Sequence, residues 1–429
     1  MGRLGSQVSA GDDQAAMSAG ERAQRARGAP ARGEDLGHRE LLEHARRQAA
    51  ERGFDRLLIV DSDFHQMEND FWPELLDYLE SDVLRDMFLA AGRGGYWVPG
   101  EIASGGIQQV SGRIGPQTAW SESMTGEHGS ARELARIRET MEMMASDYVS
   151  LFPTHFLTLS GTSPFQHMEA ALARAYARWM TERVLAEEPR IISMLYLPFG
   201  DPEACLRIVE DFGDRQGVVG FMVTSTRSDA THAKPYMRLY RAIEERGLPL
   251  GFHSGFNFHE RSMQQFNKFL SVHSLGFAYY NMVQATNWVV NGLPEIFPKL
   301  KLLFIESGLA WVPFLMQRLD HGYMMRTSEA PLLTRLPSEY LREFYYTSQP
   351  MEAHDLDALR FTFKSIGAET QLLWASDWPH WDWDPPRKIW DLPFLDEPAK
   401  RRILGENARE LFGLPDRTAV PERRVATRA

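Results

Sequence analysis

Eight short apolar runs, each followed by a longer segment of helical spacing, constrain this chain more than any other feature. The runs are 57–61 (LLIVD), 156–159 (FLTL), 191–197 (IISMLYL), 218–222 (VVGFM), 249–253 (PLGFH), 302–306 (LLFIE), 344–347 (FYYT) and 372–376 (LLWAS). Between them, segments such as 167–185, 202–212, 235–246 and 280–293 place apolar residues three and four apart, the period of an amphipathic helix. Runs without polar alternation suit strands buried on both faces, as in a parallel sheet wrapped by helices. Eight such units predict an α/β fold, a (β/α)8 barrel with its active site at the C-terminal ends of the strands. An open doubly wound sheet gives a similar alternation, and periodicity alone does not separate the two. No Gly-rich fingerprint follows the first strand to mark a dinucleotide-binding version.

One connection breaks the rhythm. Residues 62–155 separate the first two strands, and a structureless loop of that length is implausible inside a compact domain. The segment holds a Gly-rich stretch (AAGRGGYWVPGEIASGG) and a helical stretch at 131–147, and is expected to be an insertion acting as a lid or an interface. Residues 1–34, rich in Ala, Gly, Arg, Ser and Gln without an apolar core, read as a disordered leader. Residues 35–415 read as one barrel domain and 416–429 as a C-terminal tail. The net charge of −11 argues against a nucleic-acid partner, and no window approaches the ~20 apolar residues of a membrane span. The single cysteine, Cys205, cannot form a disulfide within the chain, so a reducing, cytoplasmic compartment is expected. Any metal must then be held by histidines and carboxylates.

Polar residues fall where such a site would need them. The first strand runs into Asp63 and His65, two apart and so directed to one side of an extended backbone. The fifth strand ends at His253, the sixth at Glu306 and the eighth at Asp377. In a barrel these ends converge, and three carboxylates in one low-dielectric cavity repel unless a cation neutralises them. Asp63, His65, His253 and Asp377 offer a mixed nitrogen and oxygen set, with Glu306 and His273 in reserve. His380 is read as support for the metal or substrate, and Glu68 as a local cap or packing acceptor. Trp72, Trp97, Trp378 and Trp381 suit an aromatic pocket as well as a core, while His232, His259 and Arg318 are ordinary surface residues unless the fold brings them to the substrate.

The chain resembles the amidohydrolase-related (amidohydrolase 2) family, which includes aminocarboxymuconate-semialdehyde decarboxylase. The resemblance lies in IVDSDFHQME at 59–68, LPLGFHSG at 248–255, FPKLKLLFIESGLAWVPFLMQRLD at 297–320, FYYTSQPMEAHDL at 344–356, LLWASDWPHWD at 372–382 and ILGENARELFGL at 403–414. It implies a distorted TIM barrel with one or two divalent ions, zinc, manganese or iron, at the strand ends. It makes Asp63 and His65 the first-strand ligands, His253 the fifth-strand ligand, and Asp377 the residue that orients or deprotonates a metal-bound water. Two departures stand out: Glu306 replaces the sixth-strand His of the decarboxylases, and the first ligand is Asp63 rather than His.

The expected activity is therefore that of a metal-dependent hydrolase or non-oxidative decarboxylase acting on a small carboxylated or cyclic substrate. Asp377, Glu306 and His273 are its catalytic candidates, Asp63, His65, His253, Asp377 and Glu306 its metal ligands, and His380, Glu68 and Trp378 its supporting or substrate-facing residues. A carboxylate-rich pair of ions would instead make a dinuclear iron or iron/manganese oxygenase. A catalytically degenerate subunit of a hetero-oligomer is the remaining alternative. The expected partners are a small-molecule substrate and a second copy of the chain in a homodimer, or a different subunit.

Overall fold

The computed structural model describes residues 38–415 apart from 67, 69–70, 92–128, 160–165, 227–228, 256–260, 267 and 381. Eight strands run in chain order around one sheet: β1 Val60–Gln66, β2 Tyr148–Pro153, β3 Ile191–Tyr196, β4 Val218–Thr224, β5 Leu250–His253, β6 Leu302–Ile305, β7 Tyr345–Thr347 and β8 Leu372–Leu373. Every neighbouring pair is parallel. Nearly all strand residues are buried, as expected of strands covered by side chains within and helices without.

The seam between the last and first strands is closed by the chain running on from β8. The Ser62 N–H donates to the Trp374 carbonyl at 3.1 Å, the Asp377 N–H to the Asp63 carbonyl at 2.8 Å, and the His65 N–H to the Trp378 carbonyl at 2.8 Å. Asp61, buried in β1, accepts the Ser376 N–H at 2.8 Å. On its other side, β1 shifts register against β2 between Asp61 and Phe64, a bulge of the kind that re-aims side chains beside active sites.

The second strand is not where the apolar run FLTL placed it. Phe156–Leu159 is a short helix, and the strand is Tyr148–Pro153. A run of four apolar residues fits either state. YVSLFP supplies the β-branched and aromatic residues of a strand, whereas the Glu68 carboxylate accepts the N–H groups of His155 at 2.9 Å and Phe156 at 3.3 Å, serving the free donors at the start of a helical turn.

The long connection thus lies between Gln66 and Tyr148. Its described residues form helices Trp72–Leu76, Asp82–Ala91 and Gly129–Met144 and no strand, while most of the Gly-rich stretch lies outside the described residues, as do the leader 1–34 and the tail 416–429. Helix Gly129–Met144 packs on helix His38–Arg52, and its Arg138 binds Glu188 ahead of β3 at 2.8 Å. Helix Pro202–Phe212 begins as its sequence requires: the Asp201 side chain accepts the Ala204 N–H, and Pro202 occupies the first turn. Among the described residues no helix is long and apolar enough to cross a membrane.

Candidate metal centre

The barrel brings the strand-end residues together. Asp63 and His65 come from β1, His253 is the last residue of β5, Glu306 follows β6, and Asp377 and His380 follow β8. His65 Nε2 lies 3.2 Å from Asp63 Oδ1 and 3.3 Å from Asp377 Oδ1. His253 Nε2 is 3.4 Å from the same Asp63 oxygen, while its Nδ1 faces the Ser254 carbonyl at 2.7 Å, which directs Nε2 inward as the free lone pair. Two sets of potential ligand atoms, Asp63/His65/His253/Glu306 and His65/Glu306/Asp377/His380, each lie within 4.8 Å of one another inside the set. Glu306 spans both, with Oε2 at 3.6 Å from His253 Nδ1 and Oε1 at 4.0 Å from His380 Nδ1.

These residues fit a divalent cation. Asp63 Oδ2, His65 Nε2 and Asp377 Oδ2 are buried atoms without a hydrogen-bond partner, an arrangement that is costly unless a ligand engages them. Burial, then the charges of Asp63 and Asp382, pushes the Glu306 carboxyl well above the usual carboxylate range. Burial followed by Glu306 and Asp63 does the same to Asp377. Burial also opposes ionisation of Asp63, yet the His253 and His65 rings hold it below its ordinary value. Burial keeps His65 and His380 neutral, with lone pairs available. A cation held by Asp63 and Asp377 would resolve the conflict between those two carboxyls, since it favours their charged forms.

The backbone is strained where it presents two of these groups. Glu306 and Asp377 adopt φ values of 55° and 58°, a left-handed conformation uncommon for residues other than Gly and Asn. Thr347 Oγ1 accepts the Glu306 N–H at 3.0 Å, and Asp377 is tied to β1 through the seam.

The remaining candidates divide. His380 Nδ1 meets Asp377 Oδ1 at 2.7 Å and its Nε2 meets Thr154 Oγ1 at 3.3 Å; the same hydroxyl reaches His65 Nδ1 at 3.3 Å. Glu68 is buried, capping the turn after β2 and pairing with His155 Nδ1 at 2.6 Å. Trp378 is fully buried against Trp383 and supports His65 through its backbone carbonyl. His273 belongs to neither donor group; it lies on helix Phe269–Val290, 3.6 Å from Asp382. Trp72 packs against Phe88 within the insertion, and Trp97, His259 and Trp381 lie outside the described residues. Sequence reasoning missed Thr154 and His155, which lie just beyond β2, and Asp382. Correct placement of the second strand would have marked the first two as strand-end residues.

The Amidohydrolase family model matches residues 141–414. The chain therefore belongs to the amidohydrolase family and is an enzyme. Among solved structures it is similar to amidohydrolase map2389c from Mycobacterium avium subsp. paratuberculosis K-10, with 19% identity over 83% of this chain and 100% of that one and a TM-score of 0.62. It is also similar to 5-carboxyvanillate decarboxylase LigW from Sphingomonas paucimobilis, with 22% identity, coverage of 84% and 100%, and a TM-score of 0.58. A third likeness is to dihydroxybenzoic acid decarboxylase from Polaromonas sp. JS666 with bound manganese and 2-nitroresorcinol, at 18% identity, coverage of 83% and 97%, and a TM-score of 0.58. At these identities the likeness is one of fold. No curated protein matches the chain.

Proposed function

We propose that this enzyme removes the carboxyl group of a small hydroxylated aromatic or cyclic acid without oxidation, at a divalent-cation centre held by Asp63, His65, His253 and Asp377. The observation that carries the reading is the convergence of these buried donors, three with an atom left unpartnered, beside the additional carboxyl of Glu306. The cation, manganese in the similar dihydroxybenzoic acid decarboxylase structure, would supply Lewis acidity and a positive charge to hold a substrate carboxylate. His65 and His253 would hold the cation through ring-nitrogen lone pairs, and His380 steadies Asp377 by donating to Oδ1. Glu306 is the proton donor: as the bond between ring carbon and carboxylate breaks and CO2 leaves, the ring carbon takes the Glu306 proton. Hydrolysis at the same centre would need a base instead, and Asp377 would fill that role.

The overlap of the two donor groups through His65 and Glu306 favours a second reading, a two-cation oxygenase holding iron or iron with manganese. Elemental analysis of protein purified without added metal, combined with a CO2-release assay on hydroxybenzoates, tests both. One ion per chain with CO2 release supports decarboxylation, whereas two irons, or iron with manganese, and no CO2 release overturn it. We place the enzyme in the cytoplasm on its lone cysteine, and in a homodimer or hetero-oligomer with the insertion as lid or interface. Exposed Phe314, Met324, Met325 and Phe361 on helices Trp311–Met325 and Leu356–Ile366 support association.

A further inference from the structure

Beside the metal donors stands a second polar group that the proposed chemistry does not use. Asp382 lies in the loop after β8, and His273, on the helix after β5, brings Nε2 to 3.6 Å from its Oδ2. Gln349, fully buried after β7, donates from Nε2 to the Asp382 backbone carbonyl at 3.4 Å. Segments following three different strands therefore meet at one residue. It lies two residues after His380, whose Nδ1 meets Asp377 Oδ1 at 2.7 Å, so the loop carries it beside the donor cluster.

A purely structural carboxyl in such a place ordinarily has a cation or backbone N–H groups for company. Asp384 has both, Lys388 Nζ at 3.2 Å and the Met351 N–H at 3.4 Å. Of these, Asp382 has only its own backbone N–H facing the carboxyl: no lysine or arginine among the described residues acts on it, and its Oδ1 is a buried acceptor with no partner. Gln349 Oε1 is a second open acceptor. Two unfilled buried acceptors next to a catalytic centre are satisfied by donors that arrive with a ligand.

We propose that Asp382 is a specificity-determining residue that accepts a hydrogen bond from a hydroxyl or amino substituent of the substrate, an inference that rests on the decarboxylase reading for the carboxylate held at the metal. Gln349 positions Asp382 and offers a second acceptor, which an amine with two hydrogens can also fill. A methoxy group, which has no hydrogen to give, leaves both acceptors open.

The test is calorimetric binding of benzoate and of its hydroxy, amino and methoxy derivatives to manganese-loaded enzyme, with metal content measured on every variant. At one or more ring positions the wild type is expected to prefer hydroxyl or amine over methoxy about tenfold, the cost of leaving a buried acceptor open. Asp382→Leu is expected to abolish that preference with metal content unchanged. Asp382→Asn, which keeps a neutral acceptor and the shape of the side chain, is expected to reduce it severalfold, so the prediction stands on the second variant if the first fails to fold. An unchanged preference in the variants, or binding of all derivatives without preference in the wild type, overturns this inference and leaves the decarboxylase reading intact. Wild-type enzyme that binds none of the acids overturns both.

Discussion

Thr154 is a small residue outside both groups of metal donors, yet its removal should weaken metal binding by a calculable amount. His65 turns Nε2 toward Asp63 and Asp377, so a cation bound there needs the ring hydrogen on Nδ1. In that tautomer Nδ1 donates to Thr154 Oγ1 at 3.3 Å, and the hydroxyl passes its own hydrogen to His380 Nε2 at 3.3 Å. Thr154→Val keeps the shape and removes the acceptor. His65 is 1% exposed, so water does not replace the lost partner. A buried donor left open costs about 1–3 kcal/mol, and contacts as long as these belong in the lower half of that range. At about 1.4 kcal/mol per decade, manganese affinity should fall roughly 5- to 30-fold. Calorimetric titration of metal-free protein measures the change, with Thr154→Ser as the variant that retains the hydroxyl and the wild-type affinity. A dissociation constant for Thr154→Val within twofold of wild type would refute the tautomer assignment and the role of the hydroxyl.

Two further predictions concern the scaffold. A methyl group added at Gly405 would lie 2.2 Å from the Leu58 carbonyl oxygen and 2.7 Å from its carbon, both backbone atoms that cannot swing aside. Gly405→Ala should therefore destabilise the fold by about 2–3 kcal/mol, visible as a thermal midpoint lowered by several degrees, and an unchanged midpoint would show that the chain before β1 yields instead. Against burial, hydrogen bonds from Arg190 and Arg138 bring Glu188 down to about 2 from an ordinary 4.5. Because its folded value is the lower one, the stabilisation is present above the unfolded value and is lost as pH falls from 4.5 toward 2. The stability difference between wild type and Glu188→Gln should be about 1–2 kcal/mol at pH 7 after solvent screening, and should shrink below pH 4.5; a difference independent of pH would sink the argument.

The apolar strands of the barrel were readable because burial on both faces leaves a continuous signal that no surface helix shares. The second strand was the exception. FLTL and YVSLFP are both compact and apolar, and the choice between them depends on Glu68, a residue far away in sequence that caps the helical turn. That displacement hid Thr154 and His155, which read as residues before a strand rather than at its end. Asp63, His65, His253, Glu306 and Asp377 could be listed from the strand ends, since a barrel maps those positions onto one cavity whatever their separation. What the sequence could not express is their conformation. Neither Glu306 nor Asp377 is the glycine that a left-handed backbone ordinarily selects, so the strain at both is visible only in three dimensions. Asp382 was equally hidden, lying in a loop whose WDWD sequence carries no periodicity to set one acid apart.

The seam between β8 and β1 makes the chain's two ends a single fastening. Asp63 and His65 belong to the first strand and Asp377 follows the last, and the hydrogen bonds that close the barrel run through these residues and Trp378. A cation seated among them would act as a clasp across the longest loop the fold must close, so that its binding energy would be added to the closure of the whole ring. A chain ending before its last strand would lose half of the clasp, and with it the centre as well as the closed barrel.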